Sequence, residues 1–180
     1  MRHRAVAAVM ASVVLLGWTV GPGHAAADQG RSTCQFSFYA SLSPGLSGAP
    51  GSGTISTGGQ SGTLECKGPV DGADPSGRGA TGVEGRYGVA HPNSCLSALT
   101  GDGDGAGTNS LTIPTTAGTK EIGQSFTFSY GGRPPSGGGF VSGEFKGPHF
   151  SGSFEITPVD GDCIRAPVTK VHVTGEGVLQ

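Results

Sequence analysis

Apolar and polar residues alternate in short runs along most of this chain, and clusters of glycine, proline, serine and aspartate separate the runs. "CQFSFYASL" (34–42) places Phe36, Phe38, Ala40 and Leu42 on one side of an extended backbone, and "SFTFSY" (125–130) does the same with Phe126, Phe128 and Tyr130. A period of two buries one face of a strand and leaves the other in water. Similar runs occupy 53–58, 62–68, 85–90, 110–114, 139–147, 150–156 and 167–175; in the last, Thr169, Val171 and Val173 share one face and Lys170 and His172 the other. With no sustained helical period, these runs predict an all-β fold, a single antiparallel β-barrel or β-sandwich of about eight to ten strands.

The joins favour antiparallel neighbours. "GGQS" (58–61) and "GPH" (147–149) are short enough for hairpins and too short for parallel crossovers, so a meander is expected over much of the chain. "NSCLSALTG" (93–101) reads either as a short helix capped by Asn93 and ended by Gly101 or as an irregular loop. Segments 69–79 and 131–138 carry no apolar periodicity and are expected to be exposed loops.

Residues 1–4 are basic, 5–20 are apolar and uncharged, and Gly21-Pro22-Gly23 precedes Ala25-Ala26-Ala27. This is the three-part pattern of a secretory signal peptide. Cleavage near Ala27 divides the chain into a signal peptide, 1–27, and a single secreted β domain, 28–180. The apolar run is shorter than the roughly 20 residues of a membrane-spanning helix. The expectation is therefore a secreted, extracellular protein with no membrane span.

Cleavage removes Arg2 and Arg4, leaving 9 of the 11 basic residues against all 13 acidic ones, a net charge of −4. That balance, without a basic cluster, excludes a nucleic-acid partner in this reading. Removing Gly17, Gly21, Gly23 and Pro22 from the 35 Gly and 12 Pro leaves a chain rich enough in both to suggest low complexity. The low charge and the clustering of apolar residues between glycines argue for strands and turns instead.

Cys34, Cys66, Cys95 and Cys163 form an even set in an exported chain, which implies two disulfides with three alternative pairings. Pairing Cys34 with Cys163 and Cys66 with Cys95 is favoured, because a closing barrel makes its first and last strands neighbours. None of the four lies within four residues of another, so zinc-ligand spacing is absent.

Candidate chemistry is sparse. "TGDGDGAGTNSLT" (100–112) carries Asp102 and Asp104, but a calcium loop counted from Asp102 meets Ala106 at its fifth position and Ile113 at its twelfth. This segment and the Asp160-Gly161-Asp162 segment before Cys163 read as surface turns carrying solvated aspartates. His91, His149 and His172 each have a structural reading, in a turn, at a strand start and on an exposed face. No serine sits in a Gly-x-Ser-x-Gly elbow. Glu144 and Glu155, on neighbouring candidate strands, are the one carboxylate pair suited to glycoside hydrolysis, although alternation turns Glu155 toward water. No catalytic residue, metal ligand or cofactor is assigned. Phe36, Phe38, Phe126, Phe128, Tyr130, Phe150 and Phe154 either fill the core or, in a wider barrel, line an apolar pocket.

The export signal together with "CQFSFYASLSPGLS", "GTLECKG", "SCLSALTGDGDG", "SLTIPTTAG" and "GDCIRAPVTKVHVTGEG" resembles small secreted glycine-rich β-proteins of uncharacterised function from high-GC Gram-positive bacteria. The resemblance covers most of the exported chain and implies a bacterial origin and no particular activity. The function expected is non-catalytic: binding a small apolar ligand or a cell-surface partner. The alternative is a structural or protein-interaction factor of the cell envelope, with a hydrolase as a third class.

Overall fold

A computed structural model describes residues 31–59, 61–132 and 141–180. The expected signal peptide, residues 133–138 of the second expected loop and residues 139–140 of the seventh run lie outside the described residues. Within them the elements are β1 (Ser32–Leu46), β2 (Gly53–Ser56), β3 (Gly62–Lys67), β4 (Gly79–Tyr87), α1 (Cys95–Thr100), β5 (Gly103–Thr115), β6 (Gly118–Tyr130), β7 (Val141–Lys146), β8 (Phe150–Asp160) and β9 (Val168–Leu179). The fold is all-β, and its nine described strands form one antiparallel sheet.

The sheet closes on itself. β4 to β9 form a meander of successive antiparallel pairs, and β9 returns to β1 in a ladder that includes Ser32 opposite Leu179 and Ser41 opposite Lys170. The first and last strands are thus neighbours, as barrel closure requires. β2 and β3 depart from the expected hairpin. β3 pairs with β1 at 33–37 and with β4 at 79–81, while β2 pairs with β1 at 41–43 and with β4 at 84–87. The two short strands run in the same direction, end to end, and share one place between β1 and β4. The segment between them leaves the sheet after Ser56, with the Thr57 amide on the Val83 carbonyl at 2.9 Å.

Closure does not give the favoured disulfides. Cys34 bonds Cys66 and Cys95 bonds Cys163. Cys34 does lie beside β9, but its register partner there is Gly177, at the opposite end of that strand from Cys163. Across β1 and β3, Cys34 stands directly opposite Cys66. The other bond ties α1 to the loop between β8 and β9.

Interior packing explains much of the glycine content. One inward row runs through successive register partners Tyr130, Gly143, Phe154, Gly175 and Phe36. A Cβ at Gly143 would lie 2.3 Å from Phe154 Cζ, and one at Gly175 would lie 2.5 Å from Phe36 Cζ. Each ring occupies the space its neighbour's missing side chain leaves, so large and absent side chains alternate around a narrow interior. The same relation holds between Gly105 and Phe128 and between Gly103 and Tyr130.

Strands β4, β5 and β6 are longer than the apolar runs implied, because their extensions are rich in Gly, Ser and Thr and carry few apolar residues. The short helix is present, but its N-cap is Ser94, whose hydroxyl accepts from the Ser97 amide, and Gly101 ends it with φ 98°. Thr169 is exposed, not inward with Val171: a register shift between Pro158 and Asp160 puts Val168 and Val171 in the core. The β5–β6 hairpin runs past the end of β7. There the buried side chain of Gln124 takes the place of a strand partner, accepting from the amides of His149 and Phe150 and donating to the Phe150 carbonyl.

Candidate functional site

The phenylalanines named from sequence converge inside the ring. Phe36, Phe38, Phe150 and Phe154 are buried, Phe126 and Phe128 are partly buried, and Phe145, absent from the residues named from sequence, joins them in edge and tilted contacts with Phe36, Phe126 and Phe150. These rings border a void of about 60 Å³, and a second void of about 50 Å³ lies toward α1, bordered by Tyr130. Small-molecule pockets run from about 300 Å³ upward, so either void has room for a water or two.

The large concavity is on the outside, a cleft of about 730 Å³. Strand alternation builds its surface. Ser129 on β6, Glu144 on β7, Ser153 on β8, Glu176 on β9 and Gln35 on β1 are successive register partners and form one outward row. The neighbouring row, two residues along, carries Ser142, Glu155, Thr174 and Ser37. Gly101 and Gly131 border the cleft; their backbones touch, since a Cβ at Gly131 would lie 1.9 Å from Gly101 Cα. The face is therefore hydroxyl, amide and carboxylate over glycine-thinned strands. Glu144 and Glu155, the pair singled out from sequence, do border one cleft, and Glu176 joins them. Glycines on both sides of Glu176 hid its parity in the apolar pattern.

One row further along, Tyr39 and His172 stand opposite each other, their rings stacked with centroids 4.6 Å apart. Ser37 Oγ lies 2.8 Å from His172 Nε2, and Lys170 Nζ lies 5.5 Å from the Tyr39 ring centroid. His172 is thus a partner in an outward aromatic pair. Its reading as a plain solvent-facing residue is incomplete.

The Asp-Gly-Asp segments hold turns. Asp104 accepts from the amides of Val89, Ala90 and His91, with His91 Nδ1 3.4 Å from its carboxylate. Burial works against its charge, but those amides prevail and hold the carboxyl below its usual value. Asp104 is therefore a structural acceptor, not a solvated turn residue. Asp162 accepts from the amides of Ile164, Arg165 and Ala166, and those to Arg165 and Ile164 hold its carboxyl low. Asp102 accepts from the Thr100 hydroxyl. Among the described residues no three His, Cys, Asp or Glu side chains are grouped to hold a metal ion, and no helix is long and apolar enough to cross a membrane.

No family model, curated protein or solved structure matches this chain.

Proposed function

We propose that the protein is an exported, non-catalytic binding protein whose ligand is a hydroxyl-rich polymer of the cell surface, held in the outer cleft across β6, β7, β8, β9 and β1. The observation that carries this reading is the contrast between a packed interior, with voids of about 60 and 50 Å³, and an outer cleft of about 730 Å³. The lining supports the ligand class. The carboxylates accept hydrogen bonds from hydroxyl groups, Gln35 and the serines and threonines both accept and donate, and charge-assisted bonds to Glu144, Glu155 and Glu176 are the stronger kind. The exposed Tyr39–His172 pair one row away offers an apolar ring face beside the polar groups.

Co-sedimentation with purified Gram-positive cell-wall sacculi tests it. The wild type is expected to pellet with the walls, and the E144Q/E155Q/E176Q variant to bind at least tenfold more weakly. Absence of binding, or equal binding by the variant, removes the reading.

A second reading, glycoside hydrolysis, has one observation in its favour: Glu144 and Glu155 border the same cleft on paired strands. Release of reducing ends from those sacculi, lost in E144Q/E155Q, would support it over simple binding.

A further inference from the structure

Asn109 brings a polar group into the ring that the packing leaves unpaired. It points inward from β5 and is 7% exposed, and its fully buried Oδ1 has no hydrogen-bond partner among the described residues. Its register partners are Val83 on β4 and Gln124 on β6. The Val83 side chain has nothing to bond with, and Gln124 directs its amide to the backbone of His149 and Phe150. Burying an amide oxygen unpaired is costly, so such groups are satisfied by protein or by ordered water. Asn109 borders the void of about 60 Å³, as does Thr81, which is 3% exposed; the rest of that wall is aliphatic or aromatic. Thr81 lies two residues from Val83, diagonal to Asn109 across the β4–β5 ladder. Diagonal neighbours stand about 7–8 Å apart, a gap that one water between two polar side chains spans.

A void of this size has room for one or two waters, each taking about 30 Å³ in the liquid, whereas apolar cavities stay dry. A water both donates and accepts, and the Asn109 amide turns about its last side-chain bond, so either its oxygen or its nitrogen can face the void. We propose that this void is a water site, with one or two ordered waters bridging the Asn109 amide and the Thr81 hydroxyl, and that the neighbouring void of about 50 Å³ is dry. The second void supplies the contrast. The hydroxyls at its border are already bonded, Tyr87 to the Pro44 carbonyl and Tyr130 to the Asn93 side-chain amide. Ile55, Phe128 and Ile156 border both voids and partition them. The chemistry of the wall, not its volume, decides which void is hydrated. This site lies inside the ring and stands without the outer cleft.

Oxygen-17 relaxation dispersion of the disulfide-intact protein counts the waters held inside it, and water-selective NOE spectroscopy of the labelled protein locates them. N109L, which nearly keeps the side-chain volume, is expected to hold one or two fewer waters than the wild type and to lose the water cross-peak at the Val83 methyls. T81V keeps the side-chain shape and removes one partner; it is expected to weaken that cross-peak, and it carries the test should N109L not fold. The methyls of Leu46 and Val168, at the second void, are expected to show no water cross-peak in any of the three proteins. Equal water counts in the wild type and N109L, or a Val83 cross-peak that survives both substitutions undiminished, overturns the proposal. So do equal cross-peaks at the two voids, which make volume the deciding property. A co-purifying organic molecule whose protons contact Val83 also overturns it, because the void then belongs to another ligand.

Discussion

The side-chain amide of Asn93 donates to the Tyr130 hydroxyl at 2.7 Å and, at 2.8 Å, to the Asp104 carbonyl, while the backbone of Asn93 exchanges two hydrogen bonds with Gly51. One side chain thus ties the 88–94 turn to the ends of β5 and β6, beside the outer cleft. Burial pushes the Tyr130 hydroxyl up to about 12. In the unfolded chain it ionises near 10, so between those values the folded state retains a proton the unfolded state loses, and stability falls as pH rises. Urea unfolding from pH 9 to 12 is expected to show an alkaline loss that Y130F lacks, a difference of about 2–3 kcal/mol at the upper end.

Asp104 acts at the other end of the pH scale. Its folded carboxyl is held below the unfolded value, so the stability it contributes is present above about pH 4 and is lost as pH falls through the folded value. D104N keeps the shape of the side chain and loses the charge-assisted bonds to three amides, worth roughly 1.5–3 kcal/mol each before solvent screening. Its midpoint of unfolding should be lower than that of the wild type at pH 7, and the gap should narrow by pH 2.5.

Gln124 satisfies three backbone groups of the β7–β8 turn from a position where β6 has no strand on its β7 side. Q124A should cost about 3 kcal/mol, since buried groups left unpaired cost roughly 1–3 kcal/mol each. Q124E, which retains the acceptor for two amides but loses the donor, should fall between Q124A and the wild type in chemical denaturation.

The ring-over-glycine packing makes small substitutions expensive. G143A brings a methyl group against Phe154, whose ring has little room to move, and should destabilise by roughly 1–3 kcal/mol. G143A/F154L should recover part of that loss. Additive effects of the two changes in thermal unfolding would show that the contact is not the cause.

Much of the fold was legible because alternation marks strands wherever one face is apolar. Each of the nine runs overlaps a described strand, although residues 88–90 of the fourth lie in a turn beyond β4, and the pairing of the first with the last followed from closure. The extensions of β4 and β5 were not legible: residues such as Gly103, Gly105 and Gly107 are inward or central positions with no side chain to count. The collinearity of β2 and β3 could not be read from a short loop, because the same four residues serve a hairpin or a bulge. The disulfides depended on register, which alternation leaves free by any even shift. For the outer cleft, Glu144 and Glu155 stood out as a pair, yet the serines, threonines and Gln35 that complete the rows are individually ordinary. Their role comes from five strands aligned side by side.

The most direct test of an external site is backbone amide chemical-shift mapping of the labelled protein titrated with soluble fragments of cell-wall glycan. Shifts are expected at Gln35, Glu144, Ser153, Glu155, Thr174 and Glu176, with the interior residues Phe38, Val83 and Ile156 unmoved. Shifts centred on those interior residues, or none at millimolar glycan, would contradict it.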